Sequence, residues 1–285
     1  MNNSMSELWS RLGFLAIALV VYRIGTHIPI PGINPEQVAA LFQQSQGTIL
    51  QYFNLFSGGA LERMSIFALS VVPYISSAIV MQLFSNSVPY LQELKKDGQA
   101  GRNKITQYTR YGTVIFALIQ SSALTVTLQT AGLIDAGSIF SAFVAVISIV
   151  TGTMFLMWLG EQISERGIGN GISIIIATSI ITGVPRAFGQ ALEQTQQGDL
   201  NYLLLIVLAV LTLLVVAFVV FVENAQRKIT VNYAQRNQVR GMIQAPSSFL
   251  PLKLNMSGVI PAIFASTFLL FPASLSSWFG NIDGL

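Results

Sequence analysis

Seven stretches of the sequence are predominantly apolar, and each is roughly 18 to 23 residues long, the length that an α-helix needs to cross the hydrocarbon core of a bilayer. The sequence therefore predicts an all-α polytopic membrane protein with about seven transmembrane helices. The stretches run over Leu12–Ile30, Ile66–Val88, Tyr111–Leu128, Ile139–Gly160, Gly171–Phe188, Tyr202–Val222 and Ser257–Phe279.

Composition agrees with a membrane location and leaves few groups for catalysis. Of the 285 residues, 52% are apolar and 9% are charged. A soluble domain carries roughly 25% charged residues. The sequence has no cysteine and one histidine, His27; its acidic residues lie in loops or at helix ends, and every lysine lies in a loop. We therefore expect no catalytic residue, no metal, no cofactor and no enzyme activity.

The basic residues are divided unevenly between the two sides of the predicted membrane. The N-terminal segment and alternate loops hold 12 of the 15 lysines and arginines. The other three are Arg23, Arg63 and Arg186. By the positive-inside rule these loops are cytoplasmic, which places the N-terminus inside and Leu285 on the outer side. Arg23 within the first stretch and the PIPG that ends it favour a retained helix over a cleaved signal peptide.

The second stretch differs from a helix that contacts only lipid. Val71, Ile75 and Ile79 recur every four residues and so share one helix face. Ser76 and Ser77 interrupt the apolar character around a Pro that falls within the stretch, which indicates packing against other helices or a cavity. The loop before it, Asn34–Ser65, carries a Gly pair that makes a hinge conformationally easy.

Two further segments have a distinct pattern. In GEQISERGIGNGIS, no strand precedes the glycines and no Gly-Lys-Ser or Gly-Lys-Thr follows, so we interpret it as a tight turn in which Asn170 and the glycines supply positive backbone angles, not as a phosphate loop. The loop 223–255 alternates polar and apolar residues from Arg227 onward, which predicts a short strand pair.

Several segments resemble the SecY family of bacterial protein-translocation channels. They are YRIGTHIPIPGIN, FNLFSGGALERMSIFAL, PYISSAIVMQL, ITQYTRYGT, GTMFLMWLGEQISERGIGNGISIII and LPLKLNMSGVIPAIFAS. The resemblance implies a ten-helix fold of two inverted halves. Residues 1–198 then form the first half, and residues 199–285 form the first two helices of the second half with the cytoplasmic loop 223–255.

Carried over residue by residue, the resemblance implies four functional groups. The pore ring is implied at Val71, Ile75, Ile172, Ile176 and Ile263. The plug, within residues 49–65, is implied at Phe56, Ser57, Gly58, Gly59, Ala60 and Leu61. The lateral gate is implied at Gln82 and Asn255, and the loop that docks a motor or ribosome at Arg227, Lys228, Arg236 and Arg240. For Gln82 and Asn255, capping of helix ends is an equally good interpretation.

The function expected from this resemblance is passive conduction of unfolded secretory polypeptides across the bacterial inner membrane, with release of signal or transmembrane segments through the lateral gate. The partners implied are SecE-like and SecG-like small membrane subunits, the SecA ATPase, the ribosome, signal peptides, the nascent polypeptide and membrane lipids. An inactive fragment and a structural membrane subunit are the alternatives, because the resemblance stops after the seventh helix. A secondary transporter is disfavoured, because ion coupling usually needs carboxylates at membrane depth.

Overall fold

The computed structural model describes residues 2–33, 38, 54, 57–130, 132–133, 139–197, 201–231 and 248–255. Phe56, Arg236, Arg240, Ile263 and the predicted seventh helix, Ser257–Phe279, lie outside these ranges. The described residues up to Ala187 belong to one compact unit and those from Phe188 onward to another. The boundary between halves near residue 198 stays a prediction.

Helices dominate the described residues. They are α1 (Asn2–Gly25), α2 (Val72–Ser87), α3 (Pro89–Lys96), α4 (Gln99–Thr130), α5 (Ile139–Arg166), α6 (Gly171–Gln196) and α7 (Tyr202–Asn224), followed by strands β1 (Gln226–Val231) and β2 (Ser248–Lys253). Among the described residues, five segments are long and apolar enough to cross a membrane, judged by length and composition: Met5–Gly25, Gln99–Thr130, Ile139–Arg166, Gly171–Gln196 and Tyr202–Asn224.

The second predicted helix, Ile66–Val88, starts later than its apolar composition indicated. Residues 57–71, called the turn segment below, form successive turns, and α2 begins only at Val72. Met64 and Ser70 have left-handed backbone angles, φ 44° and φ 51°, which a right-handed helix cannot include. Pro73 accordingly lies in the first turn of α2, where a missing N–H is tolerated, and not in the middle of a helix.

Residues 91–110, which lie between the second and third predicted membrane stretches, are largely helical. Leu91 and Leu94 of α3 are buried, and Gly98, with φ 67°, forms the turn into α4. α4 then begins 12 residues before the predicted start, Tyr111, and extends over 32 residues. Hydropathy did not mark its first turns because they are polar.

Serine and threonine side chains lie where α2 packs against α4. The Ser77 hydroxyl is buried and donates to the carbonyl oxygen of Thr109 at 2.7 Å. The Thr113 hydroxyl donates to the same carbonyl at 2.8 Å, so both polar groups are satisfied within the protein. Close approach through small residues is typical of helix pairs in membranes. The prediction that α2 packs against another helix is confirmed here.

The turn segment contributes to both hydrophobic clusters of the first unit. Met64 and Ala68 pack with Ile30, Leu128, Ala145 and Ile149. Phe67 and Val71 pack with Tyr22, Leu156, Ile163 and Ile175. The backbone of the segment also touches α5, because a Cβ on Gly152 would overlap the carbonyl oxygen of Ile66. Only glycine allows this approach.

The second unit contains α7 and a two-stranded antiparallel sheet. No residue of α7 is buried, and its most apolar window has a mean hydropathy of 3.4. In the sheet, Gln226 pairs with Lys253 and Val231 with Ser248. The strand pair predicted for the loop 223–255 is therefore confirmed.

Replacing Gly152 with alanine should destabilise the first unit, because the new methyl group meets rigid backbone of the turn segment. We expect Gly152→Ala to lower the free energy of unfolding by about 1–3 kcal/mol, the usual range for overpacking. The measurement is the midpoint of thermal unfolding of the purified chain in detergent.

Gly13→Ala in α1 is the matched control, because a Cβ there meets nothing within 4 Å in the described part of the chain. It should leave the midpoint unchanged or raise it slightly, since alanine has the higher helix propensity. Equal midpoints for the two variants would contradict the contact between Gly152 and the turn segment.

Candidate functional site

Four of the five predicted ring residues come together in one hydrophobic cluster. Val71 is buried in this cluster, and Ile75, Ile172 and Ile176 are half-buried and pack against it. Val71 precedes the first residue of α2, and its carbonyl oxygen accepts from the N–H of Ile75 at 3.1 Å. The fifth residue, Ile263, lies outside the described residues. That these side chains ring a pore stays a prediction.

The connection between α5 and α6 sets the position of Ile172. Gly169 has φ 74° and makes the turn, in agreement with the sequence analysis. Asn170 does not share this left-handed conformation, which corrects the role predicted for it. Its Oδ1 instead accepts from the N–H groups of Ile172 and Ser173, at 3.1 and 3.3 Å, and so caps the start of α6.

The described part of the predicted plug is a set of tight turns. Gly58 and Gly59 have φ 65° and φ 80°, a conformation that favours glycine. The Ser57 hydroxyl accepts from the N–H of Leu61 at 3.1 Å and donates to the carbonyl oxygen of Asn54 at 3.0 Å. Ala60 and Leu61 are buried. The residues are folded against the helices, while their role as a plug stays a prediction.

Tyr22 of α1 and Ser179 of α6 hold the first turn of this segment. The Tyr22 hydroxyl donates to the carbonyl oxygen of Ser57 at 3.3 Å and shares a hydrogen bond of 2.5 Å with the Ser179 hydroxyl. A Cβ on Gly58 would lie 3.1 Å from the Cα of Ser179, so the turn rests directly on the backbone of α6. Tyr22 also stacks on Phe67, with ring centroids 6.1 Å apart.

Glu62 ties the turn segment to α6 by charge. Arg186 donates from Nη1 to Glu62 Oε2 at 2.7 Å and from Nη2 to Oε1 at 2.8 Å. Asn54 Nδ2 donates to Oε2 at 3.1 Å. Burial raises the pKa of the Glu62 carboxyl, but the hydrogen bonds from Arg186 and Asn54 and the charges of Arg186 and Arg63 outweigh burial and hold that pKa below its ordinary value. The side chain is therefore a carboxylate at neutral pH.

These anchoring residues were not predicted from the sequence. A signal was nevertheless present, because Arg23, Arg63 and Arg186 are the basic residues that fall outside the loops predicted to be cytoplasmic. The charges of Arg23 and Arg186 act on Arg63, and Glu62 interacts with both Arg63 and Arg186. The departures from the positive-inside pattern therefore mark one charge cluster.

The remaining predicted residues lie in separate places. Gln82 is exposed on α2, and its backbone carbonyl oxygen accepts a hydrogen bond from the Ser85 hydroxyl at 2.8 Å. Asn255 donates from Nδ2 to Glu223 Oε2 at 2.9 Å, which links the two ends of the loop 223–255. Arg227 and Lys228 are exposed on β1. A lateral gate at Gln82 and Asn255, and docking at Arg227 and Lys228, stay predictions.

The five long apolar helices among the described residues define this chain as a polytopic helical membrane protein. A family model described as SecY matches residues 65–284. The chain belongs to the SecY family. The family and the all-α fold predicted from the sequence are confirmed.

Relatives and solved structures agree with this assignment. The protein translocase subunit SecY of Pseudomonas aeruginosa is 58% identical, with 100% of this chain and 64% of that protein covered. The Escherichia coli (strain K12) subunit is 55% identical, with 98% and 64% covered. The chain thus spans 64% of the length of these curated relatives.

Two solved structures share the fold at low sequence identity. One is described as the structure of a protein conducting channel; it has a TM-score of 0.70 and 18% identity, with 96% of this chain and 60% of that chain covered. The other is Sec61 in a canine ribosome-channel complex, with a TM-score of 0.68, 18% identity and the same coverage. The fold is therefore a partial SecY fold.

Removing the Tyr22 hydroxyl should loosen the turn segment. Tyr22→Phe leaves the Ser57 carbonyl and the Ser179 hydroxyl without this partner, and we expect a loss of about 1–3 kcal/mol in the free energy of unfolding. Thermal unfolding in detergent measures the change. Tyr111→Phe is the control, because Tyr111 is 62% exposed, and we expect its effect to stay within about 0.5 kcal/mol. Equal losses in both variants would contradict the anchoring role of Tyr22.

Proposed function

We propose that this chain forms part of the pore of a Sec translocon, which passively conducts unfolded secretory polypeptides and releases signal or transmembrane segments sideways into the bilayer. The observation that carries the proposal is the meeting of Val71, Ile75, Ile172 and Ile176 in one aliphatic cluster of a SecY-family chain. Val71 and Ile75 are separated from Ile172 and Ile176 by about 100 residues. Proximity along the chain therefore does not explain the contact between the two pairs, and the fold has to bring them together.

An aliphatic ring suits a pore that must pass side chains of any polarity. Charged filters would select among them, whereas a narrow apolar constriction excludes water and ions when empty and deforms around a chain when occupied. Ile75, Ile172 and Ile176 are half-buried, so each has apolar surface available to a passing polypeptide. Ile263 completes the part of the ring that this chain supplies.

In this proposal the predicted plug, residues 49–65, blocks the empty pore, and its residues 57–65 are the first part of the turn segment. The plug packs beside the ring residues, since Ala60 belongs to the same cluster as Val71. Its backbone is tightly turned rather than helical, which lets it move as a unit about its glycines. Gln82 and Asn255 line the lateral gate, through which a sufficiently apolar segment reaches lipid.

Energy and cargo come from partners. The chain lies in the bacterial inner membrane with its N-terminus in the cytoplasm, as the distribution of basic residues supports. The sheet β1–β2 carries Arg227 and Lys228. In this proposal these two residues, together with Arg236 and Arg240 of the same loop 223–255, form the surface on which SecA or the ribosome docks. SecE-like and SecG-like subunits complete the membrane assembly, and the chain itself is not an enzyme.

Site-specific photocrosslinking to a stalled secretory precursor in native membranes tests the pore. Probes at Ile75 and Ile176 should crosslink to the precursor, because both belong to the proposed ring. A probe at Leu208 on α7, which is 47% exposed but outside that cluster, should not. The same probes placed in a full-length SecY from a relative serve as the positive control.

The outcomes separate the alternatives. Crosslinks at Ile75 and Ile176 alone support the channel. If neither residue crosslinks while the full-length relative does, this chain is an inactive fragment. If both proteins fail to crosslink at these positions, the assignment of the pore ring is wrong.

A further inference from the structure

The ion pair between Glu62 and Arg186 joins two segments that lie 124 residues apart in the sequence. Arg186 follows Pro185 within α6, and Glu62 belongs to the turn segment. The Glu62 side chain is 12% exposed and that of Arg186 is 54% exposed, so the carboxylate is mostly covered by protein while the guanidinium can reach solvent. The two parallel N–H···O bonds are the strong, orientation-specific form of this interaction.

Glu62 is also the carboxylate of a cluster otherwise made of arginines. Burial lowers the pKa of Arg63, the charges of Arg23 and Arg186 lower it further, and the charge of Glu62 opposes them. The Nη1 atoms of Arg23 and Arg63 are buried with no hydrogen-bond partner in the structure. Buried cations without direct partners are unfavourable unless a nearby anion compensates them. Glu62 supplies that charge.

We propose that Glu62 and Arg186 form a latch that holds the turn segment in its closed position. Glu62 is the central residue of the latch, because its carboxylate binds Arg186 directly and compensates the charge of Arg63. Loss of the carboxylate removes both effects and leaves Arg23, Arg63 and Arg186 repelling one another. Loss of Arg186 alone leaves Glu62 beside Arg63, so it releases the segment less.

The meaning of this latch for gating depends on the channel function proposed above. If the turn segment closes a pore, breaking the ion pair is a step in opening it, and Glu62 and Arg186 are gating residues. The contacts of Tyr22 with Ser57 and Ser179 hold the first turn of the segment, five residues before Glu62, so the latch is a second anchor for the same part of the segment.

The absence of cysteine from the sequence allows a direct test. Ala60 is 0% exposed within the turn segment, so Ala60→Cys introduces one buried thiol. The rate at which a water-soluble maleimide labels this thiol, in the full chain reconstituted into lipid nanodiscs, reports release of the segment. We expect Glu62→Gln to raise the rate about tenfold, the size of effect given by loss of a charge-assisted hydrogen-bonded pair. Arg186→Gln should raise it by a smaller factor.

Two controls separate release of the segment from general damage. Arg110→Gln breaks the ion pair between Arg110 and Glu161, whose atoms are 2.9 Å apart, and should leave labelling of the Ala60→Cys thiol unchanged. In a parallel set, Ala117→Cys places a thiol on α4 at a site that is 0% exposed and belongs to neither of the two clusters that include the turn segment, and this thiol should stay protected in every variant. Labelling at both sites in Glu62→Gln would overturn the proposal, since the pair would then hold the whole unit rather than one segment.

Photocrosslinking from Ile75 in the same variants keeps the latch and the channel distinct. An unchanged labelling rate in Glu62→Gln, with crosslinks to the precursor retained, would show that the latch is wrong while the channel function stands. A raised rate confined to Ala60→Cys, without crosslinks in any variant, would support the latch and count against the channel.

Discussion

Where transmembrane helices surround a stretch of backbone without regular secondary structure, its N–H and C=O groups must find hydrogen-bond partners inside the protein. The turn segment meets this requirement through the residues that follow α1. The N–H of Ile30 donates to the carbonyl oxygen of Met64 at 2.9 Å, and the N–H of Ile66 donates to that of Ile28 at 3.1 Å. Within the segment, the N–H of Ser65 bonds to Ala60 at 2.9 Å. These bonds explain how non-helical chain occupies the centre of the first unit.

The same requirement orders the side chains around the segment. Both hydrophobic clusters include residues of the turns, so the helices pack on the turn segment as well as on each other. Gly152 allows α5 to contact its backbone, and Tyr22 satisfies the carbonyl of Ser57. Glu62 and Arg186 add the ionic contact. This packing positions the aliphatic cluster with Val71 and Ile75, since Val71 is the last residue of the turn segment and Ile75 lies in the first turn of α2.

Hydropathy predicted the helices well where apolar length was the only information needed. It misplaced the start of α2, because the residues before Val72 are as apolar as a helix while their left-handed angles at Met64 and Ser70 depend on tertiary contacts. Ile172 and Ile176 are four residues apart in α6 and therefore lie on one face of that helix. Their contact with the cluster of Val71 followed only from the family resemblance, because single-sequence periodicity carries no information on pairs about 100 residues apart. The same limit hid the pairing of Glu62 with Arg186.

The length of α4 exceeds what a bilayer requires of a helix. At 1.5 Å per residue its 32 residues extend about 48 Å, roughly 18 Å more than the hydrocarbon core of a bilayer. A helix longer than the core is accommodated by tilting or by extending beyond the hydrocarbon region. The excess lies at the polar end of α4, near Arg102, because the first turns are the ones that hydropathy did not mark. Since the Ser77 hydroxyl bonds to the carbonyl oxygen of Thr109, α2, the helix that carries Ile75, packs on α4 beside this polar part.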